Sequence, residues 1–406
     1  MGAAGGPRLA ANDLKIMLCT WRSRTALLAG VLAAWLGALG CQSRSLPLRS
    51  SYHAAIYVAG SAFHSRRVGE LWAFDAMKPA LKNRQRMGSQ PIALAFNPAR
   101  NELYCLNQGS RDLSILDVVN RRLVGRIRLR ATPLAMTLSP DHLYALIAAR
   151  IRRQGWIFKI DLPSRTIVAR RQVGTDPVAL ATNLSGTRLL VADATGSRVW
   201  VLNNVGSQLR QPQAIALPGP PTQIQVLPYG PQAFVLCPGV NQVSVLNIQP
   251  PALVTNLTVG HQPQQMVLKP DGGELYVSNS GDGTISIIDT ATDEVSGMML
   301  AGANPMGMAI SNDGRHLMVA NAGSNTVSLL RLSDRKTLAN IPVGMGPQRL
   351  IYGPYGLYVY VLDAGSNDIA VVRPDLATMV TLLPSPPHAS AICLVAYHQP
   401  PAQPPS

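Results

Sequence analysis

From about residue 52 to 397 the chain is built of short runs in which apolar and polar side chains alternate, each closed by Gly, Asn, Asp or Pro. The clearest stretch, ELYVSNSGDGTISIIDTATDEV from Glu274, holds two such runs around a glycine-rich turn. A period of two is the mark of half-buried strands, and no helical period competes with it. The stretch has relatives: ELYCLNQGSRDLSILDVVNRRL from Glu102, HLMVANAGSNTVSLLRLSDRKT from His316 and GLYVYVLDAGSNDIAVVRPDLAT from Gly356. Each unit opens with a proline, at Pro91, Pro133, Pro177, Pro221, Pro263, Pro305, Pro347 and Pro387, at gaps of 42, 44, 44, 42, 42, 42 and 40 residues. A near-constant period of this size belongs to an array of one stacked supersecondary unit.

Four strands are expected per unit, in the clearest one at residues 265–268, 275–278, 285–288 and 296–300. PDGG, NDGR and LSGT supply tight hairpins between the first two, because their residues tolerate positive φ. Asp75, Asp117, Asp161 and Asp289 end third strands, where a carboxylate can accept backbone N–H groups of the next turn. Four antiparallel strands repeated in this way make a β-propeller blade, and the fold class is all-β. Two residues after the proline the side chain is usually small (Ala93, Ala135, Ala179, Gly307, Ala389), as the crowded axis of a propeller requires. Seven units are complete. Residues 56–60, 70–76 and a run near 84–87 supply three strands of an eighth blade, and residues 387–397 supply its innermost strand. This stitch closes the ring and removes two free sheet edges. Eight blades are expected, or seven if the unit at Pro177 or Pro221 does not form a sheet.

The runs LYVSN, LMVAN and IYVAG, followed by TISIIDT, TVSLLRL and ELWAFDA, resemble the YVTN family of β-propeller repeat proteins over residues 52–397. That resemblance implies a bacterial or archaeal extracytoplasmic protein, related in fold to propeller lactonases, nitrite and nitrous-oxide reductase propellers and quinoprotein amine dehydrogenase subunits. It leaves the activity open, since function sits in sites grafted onto folds.

Ahead of the repeats, Arg22 and Arg24 precede sixteen uncharged residues, 25–40, and then Cys41. The run is a signal-peptide core, shorter than the roughly 20 residues that span a bilayer. Ala38-Leu39-Gly40-Cys41 resembles a bacterial lipobox, with alanine where leucine is usual, which implies lipidation of Cys41. The expected organisation is a signal over residues 1–40 with its start at Met17, a lipidated Cys and linker at 41–51, a propeller at 52–397 and a proline-rich tail at 398–406. A membrane-anchored extracytoplasmic location follows, with inner and outer membrane both open.

Candidate chemistry is sparse. The seven histidines (His53, His64, His142, His261, His316, His388, His398) fall in no HExxH, CxxCH or paired Cys/His spacing. No metal site, cofactor or catalytic residue is therefore assigned. Cys105, Cys237 and Cys393 read as buried thiols. The GDG of the Ser280–Thr284 turn lacks the carboxylates of a calcium loop. A ligand site would lie on the face where second-to-third-strand loops and blade-to-blade loops emerge together. His261, His388, Asn279, Asn321 and Asp363 stand there, the last three at equivalent positions with Asn107 and Asp193, where the competing role is to cap the turn. Arg349 replaces Ala or Gly beside the axis and is the candidate for an anionic ligand.

Charge sharpens the picture only after it is divided. The formal net charge is +15. Residues 41–176 carry 22 Lys/Arg against 8 Asp/Glu, whereas residues 177–406 carry 10 against 12. Arg126, Arg128 and Arg130 alternate along a fourth, outermost strand, with Arg84 and Arg86 in the preceding blade and Arg170 and Arg171 in the following one. They are candidate contacts for anionic headgroups or another envelope polyanion. Three function classes compete: a lipid-anchored binding or scaffold propeller for a partner protein, envelope polymer or small ligand; a propeller enzyme, lactonase-like or a redox subunit; and a nucleic-acid or polyanion binder. The missing catalytic constellation argues against the second, and the scarcity of aromatics beside the arginines argues against nucleic acid. The first is preferred.

Overall fold

The computed structural model describes residues 51–62, 65–206 and 208–399. The proposed signal, Cys41 and all but the last residue of the linker after it, and the tail from residue 400, lie outside the described residues. The strands, β1–β32 in chain order, form eight four-stranded antiparallel sheets. Seven are consecutive meanders, each opened by one of the prolines from Pro91 to Pro347; the Pro263 blade, for example, runs β20 (Pro263–Leu268), β21 (Glu274–Asn279), β22 (Thr284–Asp289) and β23 (Glu294–Leu300). The units at Pro177 and Pro221 both form sheets, so the count is eight.

The eighth sheet is the stitched one. It has the order β3 (Leu81–Met87), β2 (Ser65–Asp75), β1 (Ser51–Ala62), β32 (Ala391–Gln399). β32 pairs with β1 over nine residue pairs, from Ser51↔Gln399 to Ala59↔Ala391. The register corrects one expectation. Ala59 faces Ala391 as Ser278 faces Gln265, so Ala391, not Ala389, is the small residue nearest the axis. Ala389 therefore stands where other units have their proline, and the period of 42 from Pro347 is kept. The loop confirms the frame: His388 N–H donates to Asn367 Oδ1, as Gly346 N–H does to Asn325 and Gln262 N–H does to Asn241.

Local chemistry explains the repeat. Asp75 Oδ1 accepts the N–H of Met77 and Lys78, Asp117 Oδ1 those of Val119 and Asn120, and Asp289 Oδ1 those of Ala291 and Thr292. Backbone donors and bound carboxylate stabilise each other, which holds Asp75 and Asp117 below the usual carboxylate range against the opposing effect of burial. Apolar side chains of second and third strands interlock between neighbouring blades. One such cluster joins Ile56, Trp72 and Phe74 of the stitched sheet to Tyr360, Ile369 and Val371 of the Pro347 blade. The core is thus a ring of inter-blade seams, and each blade is stable only with both neighbours.

Candidate functional site

The eight innermost strands converge on the axis, where register fixes which side chain faces it. Two residues after the proline position the ring reads Ala93, Ala135, Ala179, Gln223, Gln265, Gly307, Arg349 and Ala391. One residue earlier it reads Ile92, Leu134, Val178, Thr222, Gln264, Met306, Gln348 and Ser390. The channel is therefore two-sided, small and apolar along the Pro91, Pro133 and Pro177 blades and polar along the Pro221, Pro263 and Pro347 blades. A cavity of about 530 Å³ opens on the polar side, lined chiefly by Thr222, Gln223, Gln264, Gln265, Gln348 and Arg349.

These polar residues divide into two groups. Gln223 and Gln265 hold blades together. Gln223 Nε2 donates to Met266 O at 2.8 Å while its Oε1 accepts Met266 N–H at 2.8 Å, and Gln265 Oε1 accepts Met308 N–H at 2.5 Å. Each satisfies backbone groups on the free edge of the next innermost strand. The next blade has Gly307 instead, and a Cβ there would lie 2.3 Å from Gln348 O, so the backbones themselves close the seam. Gln348 and Arg349 have no such duty: both are exposed into the cavity, and among the described residues no hydrogen bond or carboxylate engages the Arg349 guanidinium. A cation on a crowded axis, ringed by amide groups and unpaired, is a ready acceptor site for an oxyanion.

The other candidates lie elsewhere. Asn279 and Asn321 are fully buried and close their turns: Asn279 Nδ2 donates to Thr284 Oγ1 at 3.1 Å and Ser286 Oγ at 2.9 Å, and Asn321 Nδ2 to Thr326 and Ser328 in the same way. The structure gives them the capping role and keeps them out of the cavity. Asp363 is 1% exposed and accepts Gly344 N–H at 3.0 Å. His261 stands on the loop face, its side chain 76% exposed, with Nδ1 2.8 Å from Asp282 Oδ1 and its N–H on Asp282 Oδ2 at 2.6 Å. The backbone and ring of His261 together hold Asp282 below the usual carboxylate range. The SGDGT turn thus clasps the preceding blade-to-blade loop. His388 is exposed on the same face, 21 residues from the Asn367 side chain that caps its N–H. The sequence reading passed over Gln223 and Gln348; Gln223 shows as the same break in the Ala/Gly column that exposes Arg349, and Gln348 stands in the column one residue earlier.

Cys105 and Cys237 are buried and Cys393 is half-buried, and all three are free; burial pushes the Cys393 thiol up to about 11, away from thiolate chemistry. Among the described residues no three His, Cys, Asp or Glu side chains cluster as metal ligands. No helix among them is long and apolar enough to cross a membrane.

The sequence of residues 222–340, less than half of the chain, matches the model of a family described as lactonase, 7-bladed beta-propeller. No curated protein sequence matches. Solved structures are similar in fold. Dihydro-heme d1 dehydrogenase NirN, in complex with DHE, aligns with a TM-score of 0.71 at 13% identity, covering 84% of this chain and 74% of that one. Hydrazine synthase of Kuenenia stuttgartiensis gives 0.55 at 19%, covering 70% and 95%. A functionally unknown protein from Desulfotomaculum acetoxidans gives 0.57 at 15%, covering 70% and 94%. At these identities the likeness is one of architecture. The chain is a β-propeller repeat protein with one more blade than the matched family's description.

Proposed function

We propose that this is a YVTN-type binding propeller of the cell envelope, non-catalytic and held to a membrane by lipid on Cys41, whose axial cavity takes a small organic anion. One observation carries the ligand class: Arg349, unpaired, in a cavity whose other polar groups are amides and a hydroxyl. A charge-assisted hydrogen bond in such a setting contributes about 1.5–3 kcal/mol, so Arg349→Gln should weaken binding about 10- to 100-fold. Citrate, gluconate and phosphate, with glucose as the neutral control, can be titrated by calorimetry against the parent and the variant. Anion binding that ignores the substitution, or no binding to any of the three, removes the reading.

The anchor has its own test. Cys41→Ala should release the protein from the membrane fraction or block its maturation. Normal retention, with an unchanged mass for the N-terminal peptide, would exclude lipidation at that residue.

A hydrolase remains the second reading, favoured by one fact: the stretch matching the lactonase family contains three of the innermost strands that line the cavity. Steady turnover of a lactone panel, abolished with Arg349→Gln, would select it over simple binding.

A further inference from the structure

The outer rim carries a second feature, independent of the channel. Register aligns the outermost strands of all eight blades. At the position paired with Trp72, Ser114, Phe158, Trp200, Ser244, Ser286, Ser328 and Ala370, the outermost residues are Arg84, Arg126, Arg170, Ala214, Asn256, Met298, Asn340 and Leu382. Arginine holds this position in three consecutive blades and in none of the other five. Around it, β3, β7 (Arg122–Arg128) and β11 (Thr166–Gln172) contain eight basic and no acidic residues. On the far side, β19 (Pro251–Thr258), β23, β27 (Lys336–Pro342) and β31 (Thr378–Pro384) together hold one Lys and one Glu.

These guanidiniums are exposed and largely uncompensated. Arg126 lies 3.6 Å from Asp112, but among the described residues Arg84, Arg86, Arg128, Arg170 and Arg171 have no carboxylate within ion-pair distance. Two are pre-positioned on aromatic rings, Arg84 at 3.8 Å over Trp72 and Arg170 at 5.3 Å over Phe158. At one end the belt runs into a groove of about 530 Å³ between the Pro133 and Pro177 blades, lined by Trp156, Arg170, Arg171, Gly174, Trp200 and Pro212. Trp156 and Trp200 are half-buried and line the groove.

We propose that this belt and groove bind an acidic polysaccharide, a chain of carboxylate- or sulfate-bearing sugars laid along the rim across three blades. Guanidinium groups match carboxylate and sulfate bidentately, and an indole face in the groove suits the apolar face of one sugar ring. A convex arc spread over three blades suits a flexible chain; a flat bilayer touches one blade at a time and falls away from its neighbours. The side chains that would enter a bilayer are also misplaced, since Met298 and Leu300, 62% and 74% exposed, stand in the Pro263 blade on the far side of the ring. Nucleic acid needs a succession of stacking platforms, and here Trp72 and Phe158 are buried, which leaves one groove.

Every sheet closes within residues 51–399, so protein lacking residues 1–42 suffices, and it keeps only Trp72, Trp156 and Trp200. Binding is read by tryptophan fluorescence and by calorimetry with polygalacturonate and dextran sulfate. Neutral dextran, single-stranded DNA of matched charge, and phosphatidylglycerol vesicles are the comparators. Acidic polysaccharide should bind best, weaken with salt and quench tryptophan emission. Replacing Arg84, Arg126 and Arg170 with Ser should cost at least tenfold in affinity and flatten the salt dependence. The same-register control, Asn256, Met298 and Asn340 to Ser, should change nothing, and the paired Trp156→Phe, Trp200→Phe variant should weaken binding several-fold. Tighter binding of DNA, binding confined to vesicles, or affinity indifferent to the three arginines in variants that melt like the parent overturns the proposal.

Discussion

Removing residues 387–406 abolishes the folded protein, whereas removing residues 400–406 leaves its melting temperature within about 1 °C of the parent. The first truncation takes out β32 and the loop that leads into it. β1 then loses nine paired residues and presents an unpaired edge beside the axis. Two inter-blade seams open at once, because Val395 and Tyr397 pack with Tyr57 and Leu71 toward the Pro91 blade while Ile392 and Leu394 pack with Ile56 and Tyr360 toward the Pro347 blade. Each large apolar side chain stripped from a core costs about 2–5 kcal/mol, so four such losses are as large as the roughly 5–15 kcal/mol that holds a typical domain together, and the lost strand pairing adds to them. Size-exclusion chromatography and thermal melts of both proteins test this. A synthetic peptide of residues 387–399 added to the longer truncation should restore a single monomeric peak, because strand addition can repair an open edge. Equal melting temperatures for the two truncations would mean that the ring is closed by something other than β32.

The architecture was open to sequence reasoning because a propeller writes itself in one dimension. Proline, small axial residue, hairpin, Asp-terminated strand and the next proline recur at a period that only stacked units produce. Arg349 was visible for the same reason: it breaks a column of Ala and Gly. Pairing across strands left no such trace. Pro387 drew the last unit two residues out of step, although in three blade-to-blade loops a capping Asn sits 21 residues before Gln262, Gly346 and His388 alike. Trp156 and Trp200 are 44 residues apart and reveal a shared groove only once two blades are docked. Asn279, Asn321 and Asp363 look like a polar collar in the sequence. Their side chains turn inward because the tight turn after each second strand leaves N–H and hydroxyl groups that need a partner.

Asp363→Asn should raise stability most at neutral to alkaline pH and remove a pH dependence from the parent. The repeat itself supplies the comparison. In the Pro91 blade the cross-strand pair is Asn107↔Asp112, and Asn107 Nδ2 donates to Asp112 Oδ1 at 2.7 Å. The Pro347 blade has Asp363↔Asp368 at the same register, with Oδ1 of each carboxyl buried and lacking a partner. Two carboxylates facing one another under a closed turn cannot both ionise at ordinary cost. Burial first, and then the Asp368 carboxyl beside it, push Asp363 up to about 8. A raised carboxyl pKa means that the folded protein holds a proton which the unfolded chain, at about 4, has given up. The stabilising contribution is therefore complete below about pH 4, declines by about 1.4 kcal/mol per pH unit above that, and is gone once pH has passed through about 8. Asp75, Asp117 and Asp141 have lowered values and lose their contribution only in acid, so they leave the window from pH 5 to 9 clear. Asparagine at 363 keeps the shape, supplies the missing donor to Asp368 and has nothing to titrate. The gain is largest near pH 8, read as a rise of several degrees in melting temperature, and should shrink to nothing near pH 4. The reciprocal change, Asn107→Asp, should recreate the carboxylate pair in the Pro91 blade and lose a comparable amount at pH 8. Melting curves of the three proteins across pH 4–9 decide it: parallel profiles would show that Asp363 is ionised in the fold at neutral pH and that another group satisfies it.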